Sequence, residues 1–146
     1  MRPAVEPELF YSAVRELVDR VRQTGAVPVL YSTWGRKEGS VKLEELGLTR
    51  ESMTYALARA YRNIADELKA AVSYVGLAFF DVGEDVELYN PDRSHPSLEG
   101  SYLAALTLFF TVFGDADAIN NCGLDRDTVS RLVSSARRAV FDTPHF

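Results

Sequence analysis

The 146 residues match one ordinary domain, and a hydrophobic fraction of 47% is enough to build a buried core. A net charge of -5 without a clustered basic face argues against nucleic acid as a partner, and the single cysteine, Cys122, excludes an internal disulfide. The longest apolar stretch, 102–113, falls short of the ~20 residues that cross a bilayer, so no membrane span is expected.

Metal and cofactor sites are not expected either. Two histidines and one cysteine do not form a ligand spacing, and the chain has no phosphate-binding or dinucleotide-binding fingerprint. The first residues lack the apolar core of a secretory signal, but a fragment would not show one, so the cellular compartment stays open.

The first third of the chain predicts a helix followed by a strand. Between residues 8 and 24, apolar side chains recur at spacings of three and four, which places them on one helical face. Gly25 ends this pattern, and the short apolar run 26–31 is typical of a buried strand.

A second long helix and a second strand follow. Thr49 is a suitable N-cap for a helix that extends to Ala70, and the apolar run 71–78 predicts the next strand. Two strands joined by a long helix imply a parallel pair, so the fold class is α/β.

The remainder predicts a polar loop at 81–96, a helix at 97–113 and a last helix at 125–141. No repeat, low-complexity run or linker divides the chain, so we expect one α/β domain over 1–146.

The polar loop places a carboxylate three residues before an imidazole, at Asp92 and His95. Loops that follow strands in α/β folds commonly carry ligands and catalysts. A histidine that acts as a general base needs its other ring nitrogen held by a fixed acceptor, which Asp92 could provide. The alternative is a capping loop, in which Asp92 accepts hydrogen bonds from nearby backbone N–H groups and His95 is partly exposed.

The segment Asp92–Ser97, followed by Gly100–Ala105, resembles the last sequence block of the SGNH (GDSL-type) hydrolases. In that block an Asp-x-x-His motif opens the C-terminal helix. The resemblance implies that His95 is the general base and that Asp92 orients it.

The segment Gly25–Trp34 is similar to a middle strand and its exit loop in the same superfamily, and the likeness extends over about 11–113. It implies a partial flavodoxin-like three-layer fold, with a short parallel sheet flanked by helices. The superfamily's Gly-Asp-Ser-like nucleophile block and its oxyanion blocks are not found in 1–146. We therefore expect the chain to be the C-terminal part of an SGNH hydrolase domain.

The function implied is that of an esterase or acylhydrolase acting on small acyl or acylated-carbohydrate esters, with a serine nucleophile that is not visible in this chain. The isolated chain is then expected to be a weak or inactive hydrolase. The alternative is a non-catalytic α/β binding or assembly module, whose exposed sheet edge pairs with a second copy or with a complementing N-terminal segment.

Three residues after the first predicted strand are candidates for substrate binding: Ser32, Thr33 and Trp34. Ser32 is disfavoured as a nucleophile because no glycine flanks it to form the tight turn that presents such a serine. Trp34 fits a substrate pocket and a core position equally well. Arg36 and Lys37 fit a solvated loop better than an anion site.

Overall fold

The computed structural model describes residues 2–115 and 120–142. In chain order, the helices and strands found there are α1 (Arg2–Val5), α2 (Pro7–Gln23), β1 (Val29–Tyr31), α3 (Val41–Leu46), α4 (Arg50–Leu68), β2 (Ala71–Ser73), α5 (Val75–Val82), α6 (Leu98–Phe113) and α7 (Arg126–Phe141). The long helices lie within about two residues of their predicted bounds.

The two strands form a short parallel sheet, as the sequence predicts. Val29 lies opposite Ala71 and Tyr31 opposite Ser73, with α4 as the connection. The fold is thus mostly helical around a two-stranded parallel sheet, and the predicted partial α/β fold is confirmed. Within the described ranges neither strand has a partner on its outer edge.

The start of α4 explains why this connection is well defined. The Thr49 side chain accepts a hydrogen bond from the Ser52 backbone N–H at 3.0 Å, and the Ser52 hydroxyl oxygen accepts one from the Thr49 N–H at 2.9 Å. This reciprocal cap satisfies two backbone donors that a helix start leaves unpaired. The predicted N-cap at Thr49 is confirmed.

The predicted strand 71–78 is wrong beyond its first three residues. The chain leaves β2 after Ser73 and enters α5, whose residues are almost all buried. A run that is apolar at every position fits a buried strand and a buried helix equally well, so packing decides between them. Gly76 permits the packing found here, because its backbone lies so close to Thr33 that a Cβ atom at this position would collide with the Thr33 carbonyl oxygen.

A second difference lies in the polar segment before Thr49, which contains the short helix α3. Leu43 of α3 is fully buried against Met53 and Leu57 of α4. The main core is built from α5, α6 and α7, and a smaller cluster joins α2 to α4.

One side of α6 is apolar and exposed. The residues of this α6 apolar stripe share helical spacing and remain 37% to 72% exposed: Leu98, Leu108, Phe109, Val112 and Phe113. In the two described ranges no helix combines the length and the hydropathy needed to cross a membrane.

Candidate functional site

The loop that carries Asp92 and His95 is a closed hairpin. Tyr89 and Pro96 form an antiparallel bridge, and the Asn90 backbone N–H donates to the His95 carbonyl oxygen at 2.8 Å. At the tip Arg93 has a left-handed backbone, with φ of 59°, and its N–H donates to the Asn90 carbonyl oxygen. The backbone is therefore fixed on both sides of the two candidate catalytic residues.

Asp92 and His95 contact each other directly. The Asp92 Oδ2 atom lies 2.5 Å from Nδ1 of His95, and Oδ1 accepts from the backbone N–H groups of Ser94 and His95 at 2.9 Å each. The hydrogen bond from the His95 ring is the main cause that lowers the pKa of Asp92 to about 2, and the two backbone N–H groups add to it. Asp92 is therefore ionised at every pH at which the protein would act.

This contact orients the His95 ring for proton transfer. When Nδ1 donates to the Asp92 carboxylate, the neutral ring carries its lone pair on Nε2. The Nε2 atom has no hydrogen-bond partner among the described residues, and the His95 side chain is 74% exposed. The basic nitrogen is therefore free and open to solvent.

The hairpin is anchored to the segment that follows β1. The Trp34 indole Nε1–H donates to the Ser94 carbonyl oxygen at 3.0 Å, and the Lys37 N–H donates to the Arg93 carbonyl oxygen at 3.0 Å. The Tyr89 hydroxyl donates to the Gly35 carbonyl oxygen at 2.7 Å. These bonds place the hairpin beside the carboxyl end of β1, where ligands bind in many α/β folds.

The three predicted substrate-binding residues have different environments. Trp34 is half-buried and its ring stacks on Phe79, with centroids 4.5 Å apart and planes 8° apart. Thr33 is half-buried beside Gly76. Ser32 is only 1% exposed, its backbone is hydrogen bonded to Ser73 and Gly76, and no hydrogen bond joins it to His95. Only Trp34 is linked to the hairpin, through Ser94.

One residue that supports the site was not identified from the sequence. Arg50 is 9% exposed, and its Nη2 donates to the Phe79 carbonyl oxygen at 2.7 Å. Its guanidinium also lies over the Tyr89 ring, 5.8 Å from the centroid. Arg50 thus joins α4, α5 and the start of the hairpin. The only local signal is a charged residue directly after the N-cap Thr49, which is also typical of an exposed helix start.

Potential metal ligands do not cluster in the described part of the chain: no group of three or more His, Cys, Asp and Glu side chains is found there. The Oδ2 atom of Asp92 and the Nδ1 atom of His95 instead bind each other.

Two solved structures are similar to this chain. The first is a protein from Slackia heliotrinireducens described as "a putative SGNH hydrolase", with 37% identity and a TM-score of 0.69 over 76% of this chain and 60% of its own. The second is a DUF4886 family protein from Bacteroides uniformis, with a TM-score of 0.80 over 99% of this chain and 61% of its own. Its 16% identity shows likeness of fold alone.

The chain thus spans about three fifths of the length of each structure that it matches. No family model and no curated protein matches this chain. The resemblance to the SGNH superfamily that the sequence indicates is confirmed by the first structure, whereas the roles of Asp92 and His95 stay predictions.

Proposed function

Because the chain is SGNH-like in fold and in sequence, we propose that it supplies the general base of a serine hydrolase that cleaves esters of small acyl groups or acylated carbohydrates. The observation that carries this proposal is the Asp92–His95 pair. Its 2.5 Å contact through Nδ1 leaves Nε2 unpaired, on a hairpin fixed beside the carboxyl end of β1.

In this mechanism His95 moves a proton twice. Its Nε2 accepts the proton of a serine hydroxyl while the serine oxygen bonds to the carbonyl carbon of the ester, and it then returns the proton to the departing alcohol oxygen. A water molecule, deprotonated by the same Nε2, releases the acid from the acyl-serine. Asp92 holds the ring and stabilises the imidazolium formed in each step, without taking the proton itself.

We place the nucleophilic serine and the oxyanion donors on a further segment that completes the site. Three observations support this. No serine hydroxyl in the described ranges is hydrogen bonded to His95; the sheet has unpaired outer edges; and the α6 apolar stripe is exposed. Both similar structures are also longer than this chain. A complementing segment on the sheet edge would pair its free backbone groups.

The second candidate function is a non-catalytic binding or assembly module. The burial of Ser32, which lies nearest to the end of β1, favours it, because this serine is not available as a nucleophile. The α6 apolar stripe would then be covered by a second copy of the chain.

The test compares hydrolysis of p-nitrophenyl acetate by this chain and by the product of its complete reading frame. Each of the two proteins is made as the wild type and as the variants His95→Ala and Asp92→Asn, and each is treated with a serine-directed fluorophosphonate. We expect turnover and labelling of one serine in the product of the complete reading frame. Turnover should fall roughly 10²- to 10⁴-fold in each variant.

Equal turnover in the wild type and in His95→Ala would contradict the proposal that His95 is the general base of an ester hydrolase. If the fluorophosphonate also labels no serine, the binding module is favoured instead. In that case a dimer in light scattering would support assembly through a second copy.

A further inference from the structure

A polar cleft of about 400 Å³ borders the hairpin that carries Asp92 and His95, and Asp92 forms part of its wall. The charged and polar side chains that line it are Arg36, Ser40, Lys42, Glu45, Asp92 and Arg93. Because Asp92 forms part of its wall, a ligand bound there would extend to the Asp92–His95 pair.

The charges in this cleft are not balanced. Lys42 is paired with Glu45 at 2.7 Å, whereas Asp92 is hydrogen bonded to the neutral His95 ring and keeps its negative charge, so the three cations and two carboxylates of the wall leave a net charge of +1. Arg93 donates through Nη1 to two neutral carbonyl oxygens, those of Glu38 and Gly39, and it makes no ion pair in the described part of the chain. Its positive charge is therefore not neutralised by a carboxylate.

Arg36 has the more unusual environment. Its Nε is buried and has no hydrogen-bond partner among the described residues, and its guanidinium forms no ion pair there. Because this atom is closed off from solvent, a ligand in the cleft would contact the terminal guanidinium nitrogens of Arg36, which make no hydrogen bond with the described residues. The solvated loop that the sequence favours for Arg36 does not explain this burial.

We propose that the cleft binds an anionic group of the substrate, a carboxylate or a phosphate, with Arg36 as its main charge partner and Arg93 as the second. This inference rests on the proposed ester hydrolase and adds the class of substrate: an ester whose acyl or alcohol part carries a negative charge. The guanidinium group fits both ligands because its donors match two oxygens at once, and it stays charged at every working pH.

The cleft is complete in this chain, so binding can be measured without the nucleophile. The ¹⁵N-labelled chain is titrated at fixed ionic strength with monomethyl succinate, with the neutral dimethyl succinate and with inorganic phosphate. The shift of the Arg36 Nε–H resonance measures the binding of each ligand. We expect the anionic ester to bind at least about tenfold more tightly than the neutral one. The affinity for phosphate, compared with that for monomethyl succinate, shows whether the cleft prefers a phosphate or a carboxylate.

Three variants test the assignment. Arg36→Gln should weaken binding of monomethyl succinate roughly ten- to a hundredfold, and Arg36→Lys should restore part of it. Arg59→Gln removes the same charge from an exposed position on α4 and should leave binding unchanged. Thermal unfolding of each variant checks that the fold is intact.

Equal affinities for the two succinate esters, or equal binding by Arg36→Gln and Arg59→Gln, would overturn the inference. The test of the anion cleft can be distinguished from the test of the proposed hydrolase. His95-dependent turnover without preference for a charged ester refutes the anion cleft alone, whereas Arg36-dependent binding without His95-dependent turnover refutes the hydrolase alone.

Discussion

The Trp34 side chain joins the hairpin that carries Asp92 and His95 to the core, and its replacement by phenylalanine separates the contribution of the hydrogen bond from that of the aromatic stack. Trp34→Phe keeps an aromatic ring on Phe79 but removes the indole N–H that donates to the Ser94 carbonyl oxygen at 3.0 Å. The net contribution of one intramolecular hydrogen bond to the free energy of unfolding is about 0.5–1.5 kcal/mol. The smaller ring also buries less apolar area, so we expect a loss of about 1–2 kcal/mol in the free energy of unfolding. Trp34→Ala also loses the stack and should cost about 3 kcal/mol.

Urea unfolding measures the stability, and amide hydrogen exchange measures the opening of the hairpin. Exchange at the Ser94 and His95 amides should accelerate in Trp34→Phe, because the Ser94 carbonyl has lost its anchor to the core. The matched control is Tyr102→Phe, which removes the hydroxyl that donates to the Asn120 carbonyl oxygen at 2.8 Å, in a different part of the fold. This control should lose a comparable amount of stability without faster exchange in the hairpin.

Two results would refute this reasoning. Trp34→Phe could match the wild type both in unfolding free energy and in hairpin exchange, which would mean that the indole N–H does not hold the hairpin. Alternatively, Tyr102→Phe could open the hairpin as much as Trp34→Phe does. The hairpin would then respond to global stability and not to this one hydrogen bond.

Three further predictions follow from the contacts. Because the pKa of Asp92 is held at about 2, we expect its hydrogen bonds to persist as the pH falls to 3 and to be lost only near pH 2. Carboxyl ¹³C NMR measures this titration. His95→Ala removes the main cause of the low pKa and should raise it towards 3.8. Gly100→Ala should destabilise by about 1–3 kcal/mol in urea, because its Cβ would overlap the Leu88 carbonyl oxygen and lie 3.0 Å from Pro96 Cβ. If two copies pair through the α6 apolar stripe, as in the second candidate function, Phe113→Glu at its most exposed position should lower the mass measured by light scattering, with an unchanged mass as the contrary outcome.

Local sequence signals predicted the frame of this fold. The helix start at Thr49 is encoded by side chains three residues apart, and the Asp92 and His95 contact is made within one turn of backbone. Such features need no information about the rest of the molecule, so the sequence is sufficient to predict them.

Features that depend on distant contacts were not predictable in the same way. The run after Ser73 is a helix that packs through Gly76 on Thr33, which lies 43 positions earlier. The Trp34 hydrogen bond to Ser94 spans 60 positions. Periodicity describes one element at a time, so it does not show which elements meet.

If His95 is the proposed general base, its exposure gives a physical reason to expect that a completing segment strengthens its action. Charges that face water interact in a medium of high dielectric constant, so the stabilisation that Asp92 gives to the imidazolium is reduced at a side chain that is 74% exposed. A segment that brings the serine to Nε2 would also exclude water from the ring, and each electrostatic interaction of the pair would strengthen. The nucleophile and the low-dielectric surroundings would thus arrive together. This is the physical reason to expect little hydrolysis from the described residues alone and much more from the completed site.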